Sequence, residues 1–206
     1  VDYKGFDRPD WPKSSGSLPA ESRSVKVMIA GGFGTGKTTM VRSVSDIKPL
    51  TTEETLTQAT AGVDDLVGVA EKEKTTVSLD FGRIGLSEQL VLYLFGTPGQ
   101  ERFWFLWNGL FKGALGAVVL VDTRRLESSF RAIEEMERLD VPFVIALNVF
   151  PDSRDHPVEE IRDALDITDR IPVVACDARD RGSSRDVLIA LIRHLKERSA
   201  AALEPR

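Results

Sequence analysis

The residues best equipped for chemistry in this chain are Gly31-Gly32-Phe33-Gly34-Thr35-Gly36-Lys37-Thr38. They fit the phosphate-binding pattern G-x-x-x-x-G-K-[ST] without a mismatch. The glycines let the backbone turn tightly, so successive N–H groups can converge on phosphate oxygens. Gly32, Phe33, Gly34, Thr35, Gly36, Lys37, Thr38 and Thr39 are therefore the expected phosphate-contacting residues. Lys37 supplies a cation within reach of the β- and γ-phosphates, and the Thr38 hydroxyl can ligate Mg²⁺. A nucleoside triphosphate is the expected ligand.

Such a loop works only when a strand delivers it and a helix leaves it. The apolar run Val25–Ala30 precedes it and the helix-compatible stretch Lys37–Val44 follows. The helix adds its positive N-terminal end to the anion site. Further strands are expected at Thr76–Leu86, Gln89–Phe95, Ala114–Asp122, Val141–Val149 and Val173–Cys176. Leu115–Val121 and Val141–Val149 are apolar on successive residues, the pattern of strands buried on both faces of a parallel sheet. Thr76–Leu86 and Gln89–Phe95 are separated by little more than Ser87-Glu88 and read as an antiparallel hairpin. Helices are expected at Glu101–Lys112, Leu126–Leu139, Pro157–Leu165 and Ser183–Arg198. This order gives an α/β fold: a six-stranded, mostly parallel sheet with helices on both faces and the ligand at the carboxyl ends of the strands.

The 206 residues suffice for one domain with a substantial core. Residues 1–23, with Pro9, Pro12, Pro19 and several serines, read as a flexible arm. Residues 24–199 read as the folded domain and 200–206 as a frayed tail. One cysteine, Cys176, forbids an internal disulfide and suits a reducing cytoplasm. No signal peptide or membrane-length apolar run is visible. A net charge of −5 argues against nucleic acid or an anionic membrane as main partner. Membrane contact is expected only through other proteins.

Leu94-Phe95-Gly96-Thr97-Pro98-Gly99-Gln100-Glu101-Arg102-Phe103 resembles the switch II segment of Ras-like small GTPases, which opens D-x-x-G-Q. The resemblance implies that the Gly99 N–H meets the γ-phosphate and that Gln100 orients the attacking water. The family's acidic residue, which helps to hold Mg²⁺, is replaced by Gly96. Asp122, after Val118–Val121, is the nearest strand-end carboxylate among the matched motifs. Thr75-Thr76-Val77-Ser78-Leu79-Asp80-Phe81-Gly82 is similar to the switch I threonine and following strand of Rab-type GTPases. It implies that Thr76 reaches Mg²⁺ and the γ-phosphate. The stretch from Val44 to Thr76 then reads as a long switch I loop. Asn148-Val149-Phe150-Pro151-Asp152 stands where the family carries N-K-x-D. The Asn is present, the Lys is missing and the acid is displaced by one position. Asp152 reaches guanine only if Pro151 bulges the loop. The companion loop is Ala175-Cys176-Asp177-Ala178-Arg179, with the Ala178 N–H facing the base carbonyl and Cys176 a buried strand-end residue.

Together with V-D-T-R-R-L and C-D-A-R-D-R, these motifs resemble the small nucleotide-binding proteins of actinobacterial conservons, relatives of the bacterial polarity GTPases, over about Val25 to Arg198. The resemblance implies a cytoplasmic GTP/GDP switch with Mg²⁺. Its implied partners are a roadblock-type regulator, a sensor-kinase-like protein and a small helix-turn-helix-like protein. Gln100, Lys37 and Thr76 would be catalytic, with Thr38 and Thr76 on the metal. The aromatic stretch Phe103, Trp104, Phe105, Trp107, Phe111 is either core on two sides or a nucleotide-gated docking patch. No arginine is assignable to the transferring phosphate from the sequence; Arg83 and Arg102 are the nearest candidates. An ATPase of the same fold and a non-catalytic nucleotide-gated module remain the alternatives.

Overall fold

The computed structural model describes residues 23–57, 74–87, 89–154 and 156–203. Its centre is β1 (Arg23–Ala30), the strand that delivers the phosphate loop, followed by α1 (Lys37–Val44). Then come β2 (Leu50–Thr57), β3 (Lys74–Ser87) and β4 (Leu90–Gly96). A 3₁₀ turn over Glu101–Leu106 runs into the short α2 (Trp107–Leu110). The rest alternates: β5 (Gly116–Val121), α3 (Glu127–Arg138), β6 (Phe143–Asn148), α4 (Val158–Leu165), β7 (Val173–Cys176) and α5 (Arg181–Leu203).

The strands form one sheet in the order β2-β3-β4-β1-β5-β6-β7. β1 pairs in parallel with β4 and β5, and β5, β6 and β7 continue in parallel. The β2–β3 and β3–β4 pairs are antiparallel. Among the described residues the sheet thus has seven strands rather than the six expected. The added strand is Leu50–Thr57, whose sequence LTTEETLT lies inside the stretch read as a loop. Its threonines favour extended backbone, while its glutamates suit an edge and hide it from a search for apolar runs.

Alternation along the central strands divides the core between the two faces. Val27 and Ile29 of β1, Val118 and Leu120 of β5, and Val144 and Ala146 of β6 pack with α1 and α5. Met28 and Ala30, Val119 and Val121, and Phe143 and Ile145 pack on the other face with Trp107, Ala132, Met136 and Ile161. Every residue of β5 is buried, as its unbroken apolar sequence requires. α5 continues to Leu203, past the expected start of the frayed tail. Residues 1–22, most of the expected arm, lie outside the described part, as do residues 58–73 of the expected switch I loop.

Candidate functional site

Gly31, Gly34 and Gly36 all have positive φ, which is how the chain wraps from β1 into α1 so tightly. Gly36 is needed twice over. It has φ 101°, and a Cβ there would stand 2.5 Å from Asn148 Nδ2. Inside the loop Lys37 is buried, and its Nζ donates to the carbonyls of Gly31 (3.0 Å) and Gly32 (2.6 Å). Thr35 Oγ1 also donates to Gly32 O, at 3.1 Å. Burial holds the Lys37 amine down at about 8, and the carboxylate of Asp80 works in the opposite direction.

A cleft of about 340 Å³ opens over this loop. Phe33, Gly34, Gly36, Lys37, Thr38 and Thr39 line one side; Asp80, Thr97, Pro98, Gly99, Gln100 and Phe103 line the other. Gly99 is pressed against the loop: a Cβ there would meet Lys37 Nζ at 2.5 Å and Gly32 O at 3.0 Å. Trp107, fully buried, donates from Nε1 to Pro98 O at 3.4 Å and anchors this approach. Gln100 is exposed at the cleft wall, and its carbonyl accepts the Phe103 N–H to start the 3₁₀ turn. That turn replaces the first half of the helix expected over Glu101–Lys112. Phe103, Trp107 and Phe111 are core, while Trp104 is half-buried against Trp107 and under the Arg131 guanidinium, 5.5 Å from its ring centroid.

The carboxylate missing at Gly96 arrives from the next strand. Asp80 of β3 is in register with Gly96 of β4. It is buried, accepts a hydrogen bond from Thr38 Oγ1, and accepts a second from Thr51 Oγ1 at 3.0 Å. A hydroxyl and a carboxylate side by side at a phosphate loop are the oxygen donors Mg²⁺ takes, alongside phosphate and water. Thr38 and Asp80 therefore fit that ion. The hairpin pattern and the bare Gly96 were the signals that could have found Asp80. Asp122 does not serve here. It is fully buried, but Arg124 holds both its oxygens, from Nε at 2.9 Å and Nη2 at 2.8 Å, and these bonds keep its carboxyl below the usual range. Thr76 lies within β3 opposite Thr55, four residues or about 13 Å of strand from Asp80. Its side chain lies outside the described part.

A second slot, about 150 Å³, shares Gly34, Gly36 and Thr39 with the cleft and is completed by Asn148, Val149, Phe150, Ala178 and Arg179. Asn148 is buried and bonded at both ends of its amide: Nδ2 donates to Thr35 O and Oδ1 accepts the Ala178 N–H, both at 2.9 Å. It ties β6, the phosphate loop and the loop after β7 together. The Ala178 N–H, expected on a base carbonyl, is given to Asn148 instead. Asp152 stands away from the slot, its side chain 87% exposed and 3.9 Å from Arg124 Nη1. Arg124 also covers the Phe150 ring at 4.0 Å. Asp177 binds Arg179 through both oxygens, which holds its carboxyl at about 2. Cys176 is buried at the end of β7, and burial raises its thiol to about 11, which disfavours the thiolate.

Residues 29–198 match the family described as conserved hypothetical ATP binding protein. The chain belongs to that family. It is also 26% identical over 126 residues to the uncharacterised protein MJ1339 of Methanocaldococcus jannaschii, covering 60% of this chain and 69% of that one. It is 26% identical over 183 residues to the GTP-binding protein YPT1 of Saccharomyces cerevisiae, covering 84% and 79%. Among solved structures, the G domain of the T. maritima iron transporter FeoB superposes with a TM-score of 0.57 at 18% identity, over 84% of this chain and 99% of that one. The fold is that of a P-loop G domain.

Proposed function

We propose that the protein is a cytoplasmic molecular switch that binds GTP with Mg²⁺ and hydrolyses it slowly to GDP and phosphate. The observation that carries this reading is the gathering of Lys37, Thr38, Asp80, Gly99 and Gln100 around one cleft, with Asp80 in place of the absent strand-end acid. The likeness to YPT1, a GTP-binding protein by name, supports it.

The phosphates lie along the N–H groups of residues 32–39, and Lys37 neutralises charge at the β–γ junction. Thr38 and Asp80 would hold Mg²⁺, which would supply further neutralisation of the transferring phosphate. Gln100 places the water in line with the γ-phosphorus. Gly99, lacking a side chain, lets its backbone lie close against the loop. The segment after Gln100 continues directly from Gly99, so a change at the γ-phosphate would shift the backbone of this segment. A roadblock-type regulator and a sensor-kinase-like protein are the proposed partners, on the family resemblance of the motifs.

A second reading is favoured by the base slot. With Asn148 and the Ala178 N–H engaged and Asp152 outside, ATP is the competing ligand, in keeping with the family description. Titration of GTP and ATP against the purified protein, with Mg²⁺ and with chelator, followed by phosphate release, tests both. Binding of neither nucleotide would overturn the proposal. A preference for ATP would keep the switch and change its fuel.

A further inference from the structure

Asp122-Thr123-Arg124-Arg125 follows β5 at the ligand end of the sheet, so its side chains arrive beside the phosphate loop. The two arginines are used differently. Arg124 satisfies both oxygens of Asp122 and lies over Phe150. Arg125 is left with a 3.6 Å approach to Asp122 Oδ2 and a hydrogen bond from Nη2 to the carbonyl of Phe33, at 3.2 Å. Its backbone is pinned: the N–H donates to Asp122 O at 2.9 Å, and the carbonyl accepts from Ser128 N at 3.1 Å and Ser128 Oγ at 2.8 Å. Its guanidinium is about half exposed and lies 3.4 Å from where a Cβ of Gly34 would sit. Phe33 and Gly34 line the same cleft as Lys37 and Gln100, and a Cβ on Gly99 would stand 3.0 Å from Phe33 Cα.

We infer that Arg125 is the chain's own arginine for the transferring phosphate, resting on the Phe33 carbonyl and moving to the β–γ bridging and terminal oxygens when the triphosphate is in place. This rests on the nucleotide-hydrolysis reading above. A neutral carbonyl is a weaker acceptor for guanidinium than a phosphate oxygen, so the bound triphosphate draws the guanidinium away from the Phe33 carbonyl and from its longer approach to Asp122. In the reaction the water oxygen bonds to the γ-phosphorus as the bond from γ-phosphorus to the bridging oxygen breaks. The electron pair leaves with the nucleoside diphosphate, and a water proton goes to the released phosphate. Arg125 exchanges no proton; it neutralises charge that grows on those oxygens. The Phe33 ring, 67% exposed at the cleft mouth, crowds entry of an arginine from outside.

The test uses Arg125→Ala and Arg125→Lys in the full chain, with folding checked by thermal melting. Single-turnover hydrolysis, affinity for a non-hydrolysable triphosphate, and capture of the diphosphate by aluminium fluoride are measured in parallel. The expected result is hydrolysis slower by about 10²-fold or more, affinity within about threefold, and aluminium fluoride capture lost in both variants. Lys should not rescue, because it lacks the planar fork. Retained capture, or unchanged hydrolysis, would overturn the assignment. So would a loss of affinity that matches the loss of rate, since that marks a brace of the loop. Failure of wild type to bind either triphosphate strikes instead at the preceding reading. Capture needs no turnover, so it judges Arg125 even if wild type hydrolyses nothing.

Discussion

Asp80 and Gly96 face one another across the β3–β4 ladder, and a methyl group on residue 96 would stand 3.2 Å from Asp80 Oδ2. β4 carries no side chain at this position, and the carboxylate of the neighbouring strand lies beside it. The carboxylate still reaches Thr38 because the register, rather than the chain order, decides what stands beside the phosphate loop.

Asp80→Ala should therefore leave the fold intact and weaken Mg²⁺-dependent nucleotide binding by about tenfold or more, the loss of one carboxylate contact to the ion. Binding measured in chelator should change little. Gly96→Asp should not restore the wild-type site, because its carboxylate would crowd Asp80. Equal affinity of Asp80→Ala and wild type across a Mg²⁺ titration would remove Asp80 from the metal.

Lys37 ties nucleotide affinity to pH. Free, its amine is held at about 8 by burial; beside phosphate the charged form is favoured, so binding takes up a proton above that pH. Affinity should be highest below about 8 and fall as pH rises through 8 to 9.5, by up to about tenfold per unit. Lys37→Arg should flatten that fall, and Lys37→Ala should lose triphosphate binding throughout. A wild-type affinity that rises over this range contradicts the assignment.

Gln100→Leu should abolish turnover while leaving GTP affinity within about twofold, since the side chain acts on water rather than on the nucleotide. Phosphate release and binding isotherms on the same preparation separate the two effects. An unchanged rate would remove Gln100 from the chemistry.

Asn148 and Asp152 should separate cleanly. Asn148→Ala strands the Thr35 carbonyl and the Ala178 N–H and should cost about 2–3 kcal/mol of stability, read by urea unfolding. Asp152→Ala removes an exposed carboxylate and should leave stability within about 0.5 kcal/mol. If Asp152 nonetheless reads guanine, that variant alone will lose GTP affinity relative to ATP. Parallel losses for both nucleotides would place base recognition elsewhere.

The sequence alone determined what depends on neighbours along the chain. The phosphate loop, the strand before it and the helix after it follow from glycine placement and a local change of period, and α1 and β7 stand where they were expected. The buried central strands were legible because apolar runs such as GAVVLV report burial directly. Tertiary structure decided what depends on partners distant in sequence. The edge strand Leu50–Thr57 is polar and becomes a strand only by pairing with β3. Asp80 gains its role from the residue opposite it, and Asn148 is absorbed by two loops 113 and 30 residues away. Arg125 meets Phe33 across 92 residues. Such contacts are fixed by ladder register and by the packing of loops at one edge of the sheet. A linear pattern records the residue types, while the fold decides which of them meet.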